Sequence, residues 1–325
     1  GQGARGAGGL LKGTPTCTDI YEEETIMSVF TEIEVAGETL PVAVIRGSAK
    51  GPRVLVTAGI HGCEFVGIET ARRLAIELAG RSGAVRGTVT IVACVNPGAM
   101  RARIPALNPA DGLNINRMFP GDAGGSASRR IAAWLMELQS ESDFYIDMHG
   151  GDVHEKLSPY VYIPGACEER VTAAARRAAA FVNVPVRILS SALSGAYNSA
   201  AACGTPSILI ERGQGGRWSE AEVAEYRADI LSVLAHLGTV DGANFAGVHG
   251  PVGQTEMRAF YETSEGGFWY PCVEPGERIA QGAKLGEMLD IEGRLLREVT
   301  AVKDGVVLYM TGTLYAPAGF DLVAY

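Results

Sequence analysis

Two short stretches of the chain carry residue types that could hold a metal ion. In residues 57–64 an apolar run ends in glycine-rich chain and then presents His61 and Glu64. In residues 145–151 another apolar run ends at His149. Two imidazoles and a carboxylate match the ligand set of catalytic zinc sites, which keep a fourth position open for water. If both runs are strands of one sheet, their carboxyl ends meet at one edge and the three side chains converge.

The other candidate ligands nearby have less specific interpretations. A lone histidine at a strand end is more often hydrogen-bonded than metal-bound, so the zinc hypothesis depends on the combination of residues. Cys63 could compete as a soft ligand, but its neighbours are the wrong partners for a structural zinc site. His154, His236 and His249 are interpreted as ordinary, with His154 close enough to His149 in sequence to lie at the rim of a pocket.

A third apolar run, residues 206–210, ends in Glu211. A carboxylate at the same sheet edge, beside a metal-activated water, could take the proton of that water and return it to a leaving nitrogen. The alternative is a salt bridge between Glu211 and Arg212.

Residues 96–121, between the first two stretches, form a connection that is long for a compact domain and contains Arg101, Arg103 and Arg117. Long loops at the carboxyl ends of strands usually serve a site. Arginine can bind a carboxylate through two parallel hydrogen bonds, which lysine cannot do. A solvated basic loop is the alternative.

Strands and helices that alternate along residues 52–238 must position these side chains. The apolar runs typical of buried strands are residues 54–60, 89–95, 144–148, 160–163 and 207–210. Helical periodicity begins at Glu64 and again at Ser219, which has capping-box spacing to Glu222. We therefore predict an α/β fold with a mixed, mostly parallel sheet flanked by helices.

After residue 238 the pattern changes to short apolar runs between turn residues, with turns expected at 271–276, 281–282, 292–293 and 304–305. We predict an N-terminal segment with edge strands over residues 1–50, the α/β domain over 51–240 and a β-rich, barrel-like appendage over 241–325. The first 30 residues are expected to be peripheral or poorly ordered, and residues 33–45 to form an edge hairpin around Gly37.

Composition excludes several classes of protein. The 28 Lys and Arg against 37 Asp and Glu give a formal charge of −9, so no overall basic field favours nucleic acid or an anionic membrane as partner. No apolar run approaches the roughly 18 residues of a membrane span, and the N-terminus lacks the apolar stretch of a secretory signal, so we predict a cytoplasmic protein. The 6 cysteines lack CxxC spacing and predict neither a disulfide framework nor a zinc knuckle.

Four motifs in chain order, GIHGCE, NINRMFPG, IDMHGG and ILIERG, resemble those of the succinylglutamate desuccinylase/aspartoacylase family, which is related to the zinc carboxypeptidases. The resemblance covers about residues 50–240. It implies a carboxypeptidase-like fold and a zinc-dependent hydrolase that cleaves the amide bond of a small N-acyl amino acid or related compound. It further implies one Zn²⁺ per chain held by His61, Glu64 and His149, with Glu211 as the general base and acid.

The same resemblance implies roles for residues that contact substrate. Asn116 and Arg117 would bind the substrate carboxylate, and Tyr197 is at the position of the family's active-site tyrosine. The arginine that polarises the scissile carbonyl lies in the preceding loop of family members, where Arg103 and Arg101 are both candidates.

One position departs from the family pattern. Aspartoacylase-like members carry an arginine about ten residues before the catalytic glutamate, where it holds an acidic side chain, whereas this chain has Ala201. A buried carboxylate without a partner costs several kcal/mol. N-acetylaspartate should therefore be a poor substrate, and the preferred amino acid should have a neutral or cationic side chain, unless Arg187 or Arg212 supplies the charge.

The C-terminal stretch resembles lipoyl- and biotinyl-like β-barrels and is similar to the appendage of bacterial predicted deacylases of this family. Lys303 precedes an Asp-Gly pair but lacks the flanking methionines of a biotinylated lysine, so we expect a structural or substrate-gating role and not a carrier role.

Two other functions remain open at this stage, namely a carboxypeptidase acting on short peptides and a non-catalytic binding protein of the same fold. A narrowed cleft would disfavour the first. The second would be indicated by loss of a ligand or of Glu211, and all are present. The predicted partner is a small N-acyl molecule, and a homo-oligomer is compatible with the sequence.

Overall fold

The structure is a computed structural model that describes residues 28–325. Most of the expectation for the first 30 residues therefore lies outside the described part of the chain. The helices are α1 (Phe65–Gly80), α2 (Pro97–Ala102), α3 (Ala127–Ser140), α4 (Glu169–Ala179), α5 (Ala196–Ala202) and α6 (Glu220–His236).

The strands are β1 (Thr31–Val35), β2 (Glu38–Arg46), β3 (Ala49–Ala58), β4 (Arg86–Val92), β5 (Phe144–His149), β6 (Glu155–Leu157), β7 (Tyr160–Pro164), β8 (Val186–Ser190), β9 (Ser207–Glu211), β10 (Thr255–Met257), β11 (Tyr261–Thr263), β12 (Gly267–Pro271), β13 (Arg278–Ile279), β14 (Lys284–Leu289), β15 (Leu295–Thr300), β16 (Gly305–Val306), β17 (Tyr309–Thr311), β18 (Tyr315–Ala316) and β19 (Asp321–Ala324).

A nine-stranded sheet with the order β1-β2-β4-β3-β5-β9-β7-β8-β10 is the centre of the molecule. Its strands β4, β3, β5 and β9 are parallel neighbours, as are β7, β8 and β10, while β7 is antiparallel to β9. The predicted mixed, mostly parallel sheet is therefore confirmed. The predicted hairpin is confirmed as well: β1 and β2 pair at the sheet edge through a turn in which Ala36 and Gly37 have φ of 55° and 85°. Two successive positive φ values fit the tight turns of hairpins, and glycine adopts them without strain.

Helices cover both faces of this sheet because the buried strands are apolar on both sides. Along β3, Val54 and Val56 pack in one core cluster with residues of α1, α4 and α6, while Leu55 packs in the other with residues of α3 and α5. Helix α6 begins where the capping spacing predicts, since the Ser219 hydroxyl accepts a hydrogen bond from the backbone N–H of Glu222 at 3.3 Å. Within the described residues, no helix combines the length and apolar character needed to cross a membrane.

The C-terminal strands form antiparallel sheets with the orders β11-β19-β17-β6 and β15-β14-β12-β18, and a two-stranded sheet of β13 and β16. The expected β-rich character is confirmed, but these strands close no barrel within residues 28–325. Two strands cross between the regions: β6, from the middle of the chain, pairs with β17, while β10 adds to the edge of the nine-stranded sheet beside β8. These crossing strands connect the C-terminal region to the nine-stranded sheet.

Candidate metal centre

The three predicted metal ligands lie where neighbouring parallel strands end. His149 is the last residue of β5, and Glu211, the last residue of β9, is its partner in register. His61 follows the end of β3, and Glu64 immediately precedes α1. The chain between β3 and α1 packs closely on α2, because a Cβ at Gly62 would lie 2.4 Å from the Met100 nitrogen. Only glycine fits at position 62. The close packing against α2 keeps His61 and Glu64, on either side of this glycine, at the sheet edge.

The structure brings His61, Glu64 and His149 together. One ligand atom from each of the three lies within 4.8 Å of the others. The Nδ1 of His61 is 2.6 Å from one Glu64 carboxylate oxygen, and the Nδ1 of His149 is 3.2 Å from the other. His149 and Glu64 are buried, and His61 is half-buried. His61 is therefore the most exposed of the three candidate ligands.

The chemistry of this donor set fits a zinc ion. Within residues 28–325 the buried Glu64 Oε2 accepts no hydrogen bond of good geometry, although His149 Nδ1 lies 3.2 Å away, so this oxygen and that nitrogen are both available to a metal ion. Burial raises the pKa of Glu64, but the adjacent His149 and His61 outweigh burial and lower it to about 2. Glu64 is therefore a carboxylate at neutral pH, the form that binds metal.

Two further residues orient the histidines, and sequence reasoning missed both. The Nε2 of His149 lies 3.3 Å from Oδ2 of the fully buried Asp147, and the Nε2 of His61 lies 3.3 Å from Oδ1 of Asn114. Such contacts select the tautomer in which Nδ1 of each ring faces the metal position. The alternation of strand side chains was the available signal for Asp147, since residues two apart on β5 share a face.

A chain of hydrogen bonds behind Asp147 holds it in place. Its Oδ1 accepts from the Thr57 hydroxyl at 3.0 Å, and that hydroxyl lies 2.6 Å from the Tyr145 hydroxyl. Asp147 and Glu64 both raise the pKa of His149, although burial opposes them. Glu64 and Asp147 thus lie beside the two nitrogens of the His149 ring.

Glu211 is half-buried beside the three ligands and is free of the alternative salt bridge. Arg212 lies on the opposite side of the strand, where its guanidinium pairs with Asp229 at 2.7 Å and with Glu225. Burial raises the pKa of Glu211 well above the ordinary value, and the charge of Glu64 adds to the increase. The hypothesis that Glu211 serves only to pair with Arg212 is wrong, because Arg212 has two other carboxylate partners.

The two candidate arginines of the loop differ in their partners. Arg101 pairs with the buried Glu38 at 2.8 Å, whereas Arg103, at the C-terminus of α2, is exposed and has no ion-pair partner within residues 28–325. Arg117 is exposed as well, and its only recorded contact within that range is with the Asn116 carbonyl at 3.5 Å.

Asn116 has a structural contact in addition to its predicted one. It is buried, and its Oδ1 accepts a hydrogen bond from the backbone N–H of Ala196 at 2.9 Å, at the start of α5. Helix α5 carries Tyr197, which is buried with its ring 6.0 Å from that of Tyr162. Asn116 thus links the loop to the helix that presents Tyr197.

Ala201 takes the position at which aspartoacylase-like family members carry an arginine for the substrate's acidic side chain. Ala201 is buried in α5. Arg187 pairs with Glu256 at 2.8 Å, and Arg212 is held by its two carboxylates. Neither arginine is available to neutralise an acidic substrate.

The remaining histidines and the cysteine contribute no ligand. Burial raises the pKa of Cys63 to about 12, so it stays a thiol, and its Sγ contacts the Pro105 carbonyl at 3.4 Å. His236 stacks on Phe181, and His249 lies 3.5 Å from a carboxylate oxygen of Asp229. His154 is exposed on the connection that follows β5.

The chain is similar to known proteins over most of its length. Residues 50–237 match the family model of the succinylglutamate desuccinylase/aspartoacylase catalytic domain. The chain is 27% identical over 302 residues to the N-alpha-acetyl-L-2,4-diaminobutyric acid deacetylase of Halomonas elongata, covering 88% of this chain and 87% of that protein.

Solved structures are similar over most of the chain. A succinylglutamate desuccinylase/aspartoacylase from Rhodobacter sphaeroides is 27% identical with a TM-score of 0.76, and 88% of each chain is covered. The product-bound ectoine utilization protein EutE (DoeB) from Ruegeria pomeroyi is 24% identical with a TM-score of 0.79, again over 88% of each chain. At 24% identity, the similarity to the Ruegeria pomeroyi protein shows the fold alone.

Proposed function

Because the chain belongs to the succinylglutamate desuccinylase/aspartoacylase family, we propose that it is a zinc-dependent deacylase that hydrolyses the amide bond of a small N-acyl amino acid or related compound. The observation that carries this proposal is the convergence of His61, Glu64 and His149 at one sheet edge, with Glu211 directly beside His149 in register. The activity of the Halomonas elongata relative supports the same reaction.

Each residue has a defined role in this reaction. His61, Glu64 and His149 would hold zinc, which supplies a Lewis acid that polarises the scissile carbonyl and activates water. Glu211 takes a proton from the attacking water and returns it to the leaving amine nitrogen. Burial raises the pKa of Glu211 above that of an ordinary carboxyl group, which makes its carboxylate the stronger base for accepting the proton of water.

The arginines would bind and orient the substrate. Arg103 has no carboxylate partner within residues 28–325, so we assign to it the scissile carbonyl, and Arg101 remains with Glu38. Arg117 would bind the α-carboxylate, with the Asn116 amide beside it. Tyr197 would line the pocket from α5.

The substrate's side chain should be neutral or cationic. Ala201 offers no charge, and both Arg187 and Arg212 are engaged with carboxylates. The Halomonas elongata relative is a deacetylase of N-α-acetyl-L-2,4-diaminobutyric acid, so this compound is the first candidate substrate for this chain.

The two alternatives have less support. A carboxypeptidase needs an open cleft for a peptide, whereas β6 and β17 bring a C-terminal sheet to the side of the site. A binding protein without turnover would not need Glu211 unpaired at the end of β9.

The metal assignment is tested by metal analysis of purified protein with and without His149→Ala. Wild-type protein should contain about one zinc per chain, and the variant should be nearly empty, because a catalytic zinc site depends on three protein ligands and only two would remain. Full zinc occupancy in His149→Ala would overturn the ligand assignment. Activity is tested on a panel of N-acetyl amino acids with short peptides as comparison, and faster cleavage of the peptides would favour the carboxypeptidase.

A further inference from the structure

A row of side chains on the C-terminal sheet shares one face. Across the strands β6, β17, β19 and β11, Leu157 is in register with Tyr309, Tyr309 with Ala324, and Ala324 with Tyr261. Residues in register across a sheet point to the same side. Glu155 precedes Leu157 by two positions on β6 and therefore lies on this side as well.

This face is the one turned toward the nine-stranded sheet. Leu157 and Ala324 are buried in one apolar cluster with Tyr160 of β7 and with Val186 and Ile188 of β8. The hydroxyls of Tyr261 and Tyr162, one from each sheet, are 3.2 Å apart. Glu155 is thus directed toward the sheet whose edge carries the candidate metal centre.

Strand β6 is also fastened to the segment that follows Glu211. The backbone N–H of Gly215 donates to the Glu155 carbonyl at 3.0 Å, and the backbone N–H of Leu157 donates to the Gln214 side chain at 3.0 Å. On the other side of β9, Glu211 is in register with Tyr160. The chain around Glu155 is therefore fixed relative to the general base.

Glu155 lies among negatively charged residues. Within residues 28–325 neither Glu155 nor Asp321 forms an ion pair, and Lys156 points to the opposite face, where it pairs with Glu274 at 3.3 Å. Burial raises the pKa of Glu155 to about 8, and the negative charges of Asp152, Glu64 and Asp321 add to the increase. A cation bound beside Glu155 would lower this pKa and ionise the carboxyl group, because an opposite charge favours the charged form.

Tyrosine side chains lie on the same side of the sheet as this carboxylate. The Tyr309 hydroxyl donates to Asp321 at 2.7 Å, and its ring lies 6.5 Å from that of Tyr261. Carboxylates together with tyrosine rings and hydroxyls form a favourable environment for an ammonium group. An anionic side chain would meet only like charge there.

We propose that Glu155 binds the cationic side chain of the N-acyl amino acid substrate, an inference that rests on the proposed deacylase function. Asp321 and Tyr309 lie farther along the same face of the sheet. The alternative role of Glu155 is structural, since its Oε2 accepts a hydrogen bond from the backbone N–H of Asp152 at 3.3 Å. Glutamine retains this acceptor and removes only the charge, so Glu155→Gln separates the two roles.

The test compares two substrates of equal size on the zinc-loaded protein. They are N-α-acetyl-L-2,4-diaminobutyrate and N-acetyl-L-norvaline, in which a methyl group replaces the ammonium. Glu155→Gln should lower kcat/KM for the cationic substrate by roughly 10- to 100-fold, as expected for loss of a hydrogen bond to a charged group, and leave the norvaline derivative within about 3-fold. Glu274→Gln, which removes an exposed carboxylate from the opposite face of this sheet, is the matched control and should change neither.

Binding provides a second readout that needs no turnover. Calorimetric titration of wild type should show tighter binding of L-2,4-diaminobutyrate than of L-norvaline, and Glu155→Gln should abolish the difference. Asp321→Asn, which keeps an acceptor for Tyr309, should reduce the preference in the same direction by a smaller factor and serves if Glu155→Gln does not fold.

The possible outcomes distinguish failure of the Glu155 proposal from failure of the deacylase proposal. Equal loss on both substrates would assign Glu155 a structural role, and no loss on either would remove it from the pocket; both overturn the inference and leave the deacylase standing. Wild type that hydrolyses the norvaline derivative as well as the cationic one would do the same. Turnover of neither substrate, nor of any other N-acyl amino acid in the panel, would overturn the deacylase and the inference with it.

Discussion

Glu64 and Glu211 are carboxylates at one sheet edge whose surroundings separate their pKa values. Both are subject to burial, which raises the pKa, but in Glu64 two adjacent histidines outweigh burial and bring it to about 2. In Glu211 burial dominates and the charge of Glu64 adds to it, so its pKa lies well above the ordinary value. Divergent pKa values in a carboxylate pair separate a permanently charged group from one that carries protons. We therefore assign metal binding to the first and proton transfer to the second.

Replacement of Glu211 by glutamine should affect chemistry and not metal retention. Because a positioned general base contributes roughly 10²- to 10⁴-fold in rate, Glu211→Gln should lose that factor in kcat while its zinc content stays that of wild type. The measurement is steady-state kinetics together with metal analysis of the same preparation. Glu225→Gln, which removes one partner of Arg212, is the control and should keep most activity. An undiminished kcat in Glu211→Gln would exclude it as the base.

Asp147 should act through His149 and not on substrate. Asp147→Asn replaces a charged acceptor of the His149 ring by a neutral one, so zinc affinity should fall by roughly 10- to 100-fold. Competition titration against a chelator measures this directly. The control is Asp143→Asn, which lies just before β5 but is 55% exposed at the side chain. Equal zinc affinity in both variants would show that Asp147 has no positioning role.

At the scale of elements, the turn from β3 into α1 depends on close approach to α2. A Cβ at Gly62 would lie 2.4 Å from the Met100 nitrogen and 2.7 Å from the Ala99 carbonyl carbon, and backbone atoms cannot rotate away. Gly62→Ala should therefore lower the free energy of unfolding by about 1–3 kcal/mol and weaken zinc binding, since His61 and Glu64 flank it.

Gly80→Ala is the matched control for this prediction. Gly80 ends α1, and a Cβ there has no atom within 4 Å. The change should be neutral or stabilise the protein by up to about 1 kcal/mol, because alanine is the better helix former. Chemical denaturation of both variants measures the difference, and equal stabilities would contradict the proposed close approach.

At the scale of the whole molecule, substrate choice depends on charges supplied from distant parts of the chain. Arg187 and Arg212 are both held by carboxylates, while β6, which pairs with β17, carries Glu155, the residue that we propose to bind a cationic side chain. N-acetylaspartate should therefore have a kcat/KM more than about 10-fold below that of N-acetylasparagine, which has the same shape without the charge. A preference for the aspartate derivative would mean that another cation reaches the pocket.

Much of the candidate metal centre could be predicted from local patterns in the sequence. His149 and Glu211 end apolar runs, His61 and Glu64 follow another, and helical periodicity separates these runs along the chain. That arrangement requires parallel strands, and parallel strands bring their carboxyl ends to one edge whatever the remaining details. The convergence of the proposed ligands and the base could therefore be predicted before the order of the strands was known.

Pairings between residues far apart along the chain were decided by the tertiary structure alone. Glu38 on β2 engages Arg101, Asp229 on α6 engages Arg212, and Thr311 on β17 is in register with Glu155. No local periodicity encodes such contacts, because they depend on which elements pack together and at what register. For that reason the sequence alone determined that the proposed ligands converge at one sheet edge, and only the packing of the chain decided which carboxylates pair with Arg101 and Arg212 and which strand lies beside Glu155.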